Sequence, residues 1–318
     1  MPIIDFIQIS QYLTEHFKPV SALIKLDWIN GSGVERYSIK GQKLVEITYS
    51  RRIRKLTIKG SVMYFMQGHN FTYDNQLFIE GLKIIGAHCE VDLLGFEVEA
   101  FEFGSVIHTA IVPKEIIAKH SAGDKLTPHA DAKYKGYFKY FEDANVRIKM
   151  YDVGRNPLNK LGKPIGEIIS EIGWNPKNNY LKMEAHYKRP DKLFGQLYAR
   201  DLINPDKQET FRHNLYSQYK RLKPMKSIIY PTNKKDLSSI DIVLIELAER
   251  LINSGENQEE IKKVLYNRIN SFSADELKKT DKDSRKRQIK ARIGKLKVAE
   301  NSKWDLSEEL KDALFSEQ

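Results

Sequence analysis

The chain has 318 residues, 41% hydrophobic and 10% aromatic, with 52 Lys+Arg against 42 Asp+Glu and a formal net charge of +10. That length and apolar content exclude a wholly disordered protein and suffice for one large or two ordinary domains. No apolar run reaches the ~18 residues that span a bilayer and no secretory signal pattern opens the chain, so a cytoplasmic protein without a membrane partner is expected. A single cysteine, Cys89, excludes an intramolecular disulfide and a cysteine-based zinc site, and the positive balance points to a polyanionic partner.

In chain order, Ile7 to Phe17 reads as a short amphipathic segment. Strands are expected over Ala22 to Ile29, Val34 to Ile39, Lys43 to Tyr49 and Arg52 to Ile58, with turns at Asn30-Gly31-Ser32-Gly33 and Gly41, giving an antiparallel meander. Its end is strongly basic, with Arg51, Arg52, Arg54, Lys55 and Lys59. Val62 to Met66 runs on into Gln67-Gly68-His69-Asn70-Phe71, a strand end or loop whose glycine permits close backbone approach. Thr72 to His88 carries apolar residues at helical spacing, and Val112 to His120 reads as a second helix with Pro113 in its first turn.

Residues 91 to 103 form an apolar run into which Asp92, Glu97, Glu99 and Glu102 are set, and it reads as a central strand. Alternation puts Glu97, Glu99, Phe101 and Phe103 on one face, and Val98, Ala100 and Glu102 on the other. Two like charges ~7 Å apart beside bulky apolar residues are costly unless a cation or a basic side chain lies between them. A metal site and surface pairing with Lys or Arg both answer that cost.

Lys135 to Phe141 and Val146 to Asp152 make a hairpin across Glu142-Asp143-Ala144-Asn145, a loop follows at Gly154, Asn156, Pro157, Gly162 and Pro164, and Tyr180 to Lys188 is a further strand. The stretch from Lys133 to Tyr140 interleaves bases with aromatics, which suits phosphates plus stacked nucleobases and equally suits a strand with a basic exposed face. From Asp191 the pattern turns helical: Asp191 to Leu202, Lys207 to Arg221, Ile240 to Asn253, Gln258 to Ser271, Asp283 to Leu296 and Leu306 to Phe315. The expected class is α+β, with an antiparallel central sheet carrying helices on one face in residues 1–232 and a C-terminal helical domain in residues 233–318. The boundary is set at Asn233-Lys234-Lys235-Asp236, and no internal repeat is visible.

Three segments stand in order: Tyr64 to Phe71 with its Gln-Gly-His-Asn element, the acidic strand Glu97 to Phe103, and Met183-Glu184-Ala185-His186-Tyr187-Lys188. Together they resemble the gene II protein family, the replication initiators of filamentous bacteriophages, over about residues 20 to 190. Val146 to Asp152 lies where that family has its nucleophilic tyrosine. The chain departs from the family in three ways: Glu replaces Asp at position 99, no Lys follows Tyr151 closely, and no His-x-His pair occurs.

The resemblance implies a rolling-circle replication initiator, a nicking endonuclease that cuts one strand of origin DNA, keeps the 5′ end on Tyr151, leaves a 3′-hydroxyl for a host polymerase and later joins the displaced strand. Lys149, which shares strand parity with Tyr151, and Lys188 would offset phosphate charge. Mg²⁺ or Mn²⁺ would be held by Glu99 and Glu184 with His69 as a nitrogen ligand, Glu97 and Glu102 being alternates. DNA contacts would come from Arg51, Arg52, Arg54 and Lys55, from stacking on Tyr137 and Tyr140, and from the basic C-terminal helix with Arg285 and Arg287, where a solvated face or a host helicase are the other uses. Tyr137 and Tyr140 are rival nucleophiles. Two other functions remain open: a non-catalytic, sequence-specific DNA-binding regulator, and a metal nuclease that uses water.

Overall fold

A computed structural model of the chain describes residues 2–29, 33–42, 44–123, 125–130, 132–155, 158–226, 228–229, 239–254, 258–273, 278–298 and 302–316. The expected turn residues Asn30, Gly31 and Ser32, the loop residues Asn156 and Pro157, and the boundary Asn233 to Asp236 lie outside them.

The first strands are β1 (Pro2–Tyr12), β2 (Leu23–Ile29), β3 (Val34–Ile39), β4 (Val45–Ser50) and β5 (Lys55–Gly60). Helices α1 (Val62–Gln67) and α2 (Asn75–Ala87) follow, then β6 (Glu97–Thr109), α3 (Pro113–Ala118), and the short strands β7 (His120–Ala122) and β8 (Thr127–His129). Next come β9 (Phe138–Glu142), β10 (Val146–Asp152), α4 (Ile165–Glu171), β11 (Asn179–Tyr187), α5 (Asp191–Phe194), α6 (Pro205–Lys220) and β12 (Leu222–Pro224). The chain ends with β13 (Ile228–Ile229), α7 (Ser239–Asn253), α8 (Gln258–Asn270), α9 (Lys279–Ile293), β14 (Lys297–Val298) and α10 (Ser307–Phe315). The class is α+β, as expected. Among the described residues no helix is long and apolar enough to cross a membrane.

Ten strands form one antiparallel sheet in the order β2-β3-β4-β5-β1-β6-β11-β10-β9-β8. The order carries a repeat that the sequence hides. In each half the first strand, β1 or β6, sits at the centre, the last strand of that half lies beside it, and the rest run outward to the edge. β1 and β6 are therefore the central pair.

Two expectations near the N-terminus are overturned. The segment expected at Ile7 to Phe17 does not stand apart from the sheet with those bounds; residues to Tyr12 belong to β1, because β-branched Ile3, Ile4, Ile7 and Ile9 are each buried in the sheet core. Val62 to Gln67 is helical rather than strand. Ser61 caps it by accepting a hydrogen bond from the Tyr64 backbone N–H at 3.3 Å, and Gly68 ends it in the left-handed region at φ 76°.

The sheet's two faces differ in chemistry. One carries Phe101, Phe103, Ile148, Met150, Met183, Ala185 and Tyr187, all buried, with Phe211 of α6 packed 4.9 Å from Phe101 and 5.7 Å from Phe103 between ring centroids. The other carries Glu102, Lys149, Tyr151, Lys182, Glu184 and His186, by the pairing of Lys149 with Glu184, Tyr151 with Lys182 and His186 with Glu102. At one end of this polar face Val106 and Tyr180 pack with Phe71, Val153 and the apolar side of α4.

By contacts the chain forms two compact units, the first comprising Met1–Ala118, Ala122–Leu222 and Leu306–Gln318, the second Lys119–Ser121 and Lys223–Asp305. The chain thus leaves the sheet unit near Leu222, and α10 belongs to the first unit, in contact with α6 and β6. In the second unit α7, α8 and α9 pack around Ala248, Ile261, Ile293 and Leu296.

Candidate functional site

Four adjacent strands deliver the site. β1 contributes Asp5, β6 Glu102, β11 Lys182, Glu184 and His186, and β10 Lys149 and Tyr151. Between Ile4, paired with Phe103, and Ile7, paired with Phe101, the register of β1 slips by one residue. That bulge aims Asp5 at the polar face beside Glu102. Gly104, paired with Glu184, supplies the room: a Cβ there would lie 2.6 Å from Glu184 Cγ and 2.5 Å from the Met183 carbonyl oxygen.

The result is a buried cluster in which one carboxylate oxygen from each of Asp5, Glu102 and Glu184 lies within 4.8 Å of the others. Lys182, fully buried, places its Nζ 3.0 Å from Asp5 Oδ2, 2.8 Å from Glu184 Oε1 and 3.0 Å from the Asn70 carbonyl oxygen. Asp5 also accepts hydrogen bonds from Ser61 Oγ at 3.0 Å and from the Asn70 amide. On the other side Lys149 pairs with Glu102, and His186 Nδ1 lies 2.8 Å from the same carboxylate.

This crowding sets the protonation states. Burial by itself would raise the Asp5 and Glu102 carboxyls; the Lys182 ammonium and hydrogen bonds hold the first below its ordinary value, and His186 with Lys149 hold down the second. Burial pushes Glu184 up to about 7; Lys182 opposes this, and the charges of Asp5 and Glu102 add to it. Burial would lower Lys182 and Lys149, yet their carboxylate neighbours raise both. The Tyr151 phenol is driven well above 10 by burial and by the charges of Glu184, Asp5 and Glu102.

Tyr151, Lys149 and the three carboxylates face one open cavity of about 580 Å³, whose outer wall includes Tyr64, Tyr134, Tyr137, Phe138 and Arg155. The ring of Tyr151 has Lys182 Nζ at 5.9 Å and the Phe138 ring at 6.3 Å. Of the residues expected from the sequence, Tyr151, Lys149, Glu184, Tyr137 and the alternate Glu102 meet here.

Glu99 and His69 do not. A second register slip, between Gln8, paired with Ala100, and Ile9, paired with Val98, breaks the simple alternation of β6 at Glu99, so the expected sharing of one face by Glu99, Phe101 and Phe103 fails. Glu99 is tied instead to Gln8 Nε2 at 2.7 Å, Ser10 Oγ at 2.8 Å and Lys55. His69 lies in the loop after α1, stacked on Phe71 at 5.7 Å with its Nδ1 accepting from the Phe71 N–H at 3.4 Å, and among the described residues it is not part of the three-carboxylate group. From that Gln-Gly-His-Asn element it is Asn70, not His69, that reaches the site.

Several expected DNA contacts are engaged internally. Arg51 pairs with buried Glu35 at 3.0 Å, Arg54 donates to the Thr14 carbonyl at 2.6 Å, and Lys188 holds the hairpin through Glu142 at 3.1 Å and the Asp143 carbonyl at 2.6 Å. Arg52 is exposed at the same turn, and Tyr140, on β9 opposite Lys149, stacks on His129. Arg285 and Arg287 are exposed on α9 in the second unit.

Sequence reasoning missed Asp5, Lys182 and His186. The signal was there: Leu181-Lys182-Met183-Glu184-Ala185-His186-Tyr187 alternates strictly between apolar and ionisable residues, and an Asp interrupts the apolar start of β1. No family model, no curated protein and no solved structure matches the chain.

The donor set fits a divalent cation. Oxygens sharing one Mg²⁺ lie up to about 4.2 Å apart, twice the metal–oxygen distance, so carboxylates within 4.8 Å of one another need only a small closure to share an ion. Glu184 Oε1 is buried and, with Lys182 Nζ out of line, takes no hydrogen bond.

Proposed function

We propose that the protein is a tyrosine-dependent DNA-nicking enzyme that starts rolling-circle replication. The observation that carries this reading is the convergence of the Tyr151 phenol, Lys149 and the carboxylates of Asp5, Glu102 and Glu184 on one cavity. The phenol oxygen attacks the scissile phosphorus, the bond from phosphorus to O3′ breaks, and the departing O3′ takes up a proton to become the primer hydroxyl. The strand is left as a 5′-phosphotyrosine, which a later 3′-hydroxyl reverses to join the displaced strand. Glu184, which lines the same cavity as the phenol, is placed to take its proton. Lys149 offsets the charge that builds on the phosphate.

Asp5, Glu102 and Glu184 would hold Mg²⁺ or Mn²⁺. When bound, such an ion neutralises the carboxylates that oppose phenolate formation and stabilises the extra charge of the transition state. Lys182, buried beneath them, positions Asp5 and Glu184. Origin DNA is the partner on this reading, with a host polymerase extending the freed 3′ end.

One observation favours a second reading. Lys182 Nζ already lies within 3.0 Å of Asp5 and 2.8 Å of Glu184, as in a carboxylate site that has exchanged its metal for a lysine. A protein of that kind would bind DNA without cutting it.

The test is incubation with supercoiled DNA of the protein's own replicon and Mg²⁺ or Mn²⁺, followed by a denaturing gel. An adduct on the 5′ end that disappears in Tyr151→Phe is expected. Nicking without an adduct would assign the attack to water, and binding without cutting would leave the second reading.

A further inference from the structure

We infer that α9, in the second unit, is a reading helix for duplex DNA: it lies in a major groove with its cations on the two phosphate walls and Gln288 on a base edge. This rests on DNA as the partner, and it holds whether or not Tyr151 cuts that DNA.

The charge comes first. From Ser284 to Lys297 seven residues are Lys or Arg and none is Asp or Glu. Like charges recur four apart at Lys282, Lys286 and Lys290, a spacing that sets them side by side and works against the helix. Other helices of the chain answer such charge internally: Glu209 pairs with Arg212 at 2.8 Å in α6, Glu246 with Arg250 at 3.2 Å in α7, and Glu259 with Lys262 at 2.5 Å in α8. In α9, Arg285, Lys286, Arg287 and Lys290 form no ion pair among the described residues. The two acids of the helix, Asp281 and Asp283, stand at its N-terminal end, where they favour the helix dipole. A polyanion laid along the remainder removes the repulsion.

Packing decides which side of α9 is free. Ile289 and Ile293 enter the core of the second unit with Ala248 and Ile261, and the Lys286 carbonyl accepts from the Tyr266 hydroxyl at 3.2 Å. At about 3.6 residues per turn, the line opposite these isoleucines runs through Ser284, Gln288 and Ala291, all exposed. Arg285 and Arg292 flank that line on one side, Arg287 and Lys290 on the other. Arg287 donates through Nε to the Asp283 carbonyl at 3.4 Å, which leaves its terminal nitrogens for a phosphate.

This layout selects the partner. The helix has no aromatic residue, so an unpaired strand finds nothing on it to stack against. Its apolar side is spent inside the unit, so a lipid surface gains no insertion from it. A major groove about 12 Å wide admits a helix about 10–12 Å across between two rows of phosphates, which the cations on both flanks match. The short outward side chains let the helix approach the groove floor, where Gln288 can pair with N6 and N7 of an adenine and Ala291 can meet a thymine methyl.

The experiment measures, by fluorescence anisotropy over a range of salt, binding of a labelled mixed-sequence DNA duplex and of the RNA duplex of the same sequence. It uses the full chain as wild type, as the double variant Arg285→Ala with Lys290→Ala, and as Gln288→Ala, with thermal melts to establish folding. The expected result is preference for the DNA duplex, and in the double variant a salt slope smaller by about two with binding about tenfold weaker at physiological salt. From a randomised DNA duplex pool, wild type should enrich an adenine that Gln288→Ala does not. An unchanged salt slope in the folded double variant overturns the inference. Equal binding of the RNA duplex, whose major groove admits no side chains, does the same, as does enrichment of the same bases by Gln288→Ala. The adduct assay on the same proteins separates the two ideas. An adduct together with duplex binding that ignores α9 refutes the reading helix alone, and binding that depends on α9 without any adduct keeps the helix and refutes the nicking chemistry.

Discussion

At the scale of single residues, the chain buries charge only where partners surround it. Lys182 is the extreme case: it has no exposed surface, and three oxygens from Asp5, Glu184 and Asn70 lie within 3.0 Å of its Nζ. Lys182→Met would strand two carboxylates and cost about 3–5 kcal/mol, read as a lower urea midpoint. Addition of Mn²⁺ should recover part of that loss. Far from the site, buried Glu35 receives Lys25 at 2.6 Å and Arg51 at 3.0 Å; burial would raise its carboxyl, but these bonds hold it below its ordinary value of 4.5. Its stabilising effect is therefore complete above 4.5 and is lost as the pH falls through the lower folded value. The stability gap between wild type and Glu35→Gln should narrow on acidification below 4.5. A gap that widens there would contradict the assignment.

At the scale of elements, two irregularities in the central pair make the site. The β1 bulge turns Asp5 toward Glu102, and Gly104 leaves space for Glu184. Gly104→Ala meets the Met183 carbonyl as well as a flexible side chain, so backbone must shift. We expect a loss of about 1–3 kcal/mol in stability together with loss of any melting-temperature rise on adding Mn²⁺. On the opposite face Phe211 of α6 is fully buried against Phe101, Phe103 and Phe194. Phe211→Ala should cost about 3–5 kcal/mol in chemical denaturation, because a fully buried ring is removed from the aromatic cluster.

At the scale of the molecule, the last helix returns to the first unit. Leu306, Leu310 and Leu314 are buried, and the Leu306 N–H donates to the Tyr219 hydroxyl at 2.6 Å. Three buried leucines are worth roughly 1.5–3 kcal/mol each, comparable in sum to the stability of a whole domain. A chain ending at Asp305 should therefore show a destabilised sheet unit by calorimetry, while the helical unit that ends there keeps its own core of Ala248, Ile261, Ile293 and Leu296.

Local pattern was enough to determine the α+β class, most strand and helix positions, and the shared parity of Lys149 and Tyr151, because each of these depends on alternation or helical spacing within a few residues. It failed where an element departs from regular geometry. One inserted residue reverses which face a side chain occupies, and nothing at Val98 to Ala100 or at Ile4 to Ile7 announces the slip; the placing of Asp5 in the site and of Glu99 outside it follows from those slips. The capped turn at Ser61 to Gly68 was similarly read as extended, since six residues are too few for periodicity to decide. The remaining facts are long-range. Asp5 and Lys182 are 177 positions apart, and the matching strand orders of the two halves appear only when β1 and β6 pair. Such contacts depend on which strands become neighbours, a property of the whole sheet that no stretch of sequence carries alone.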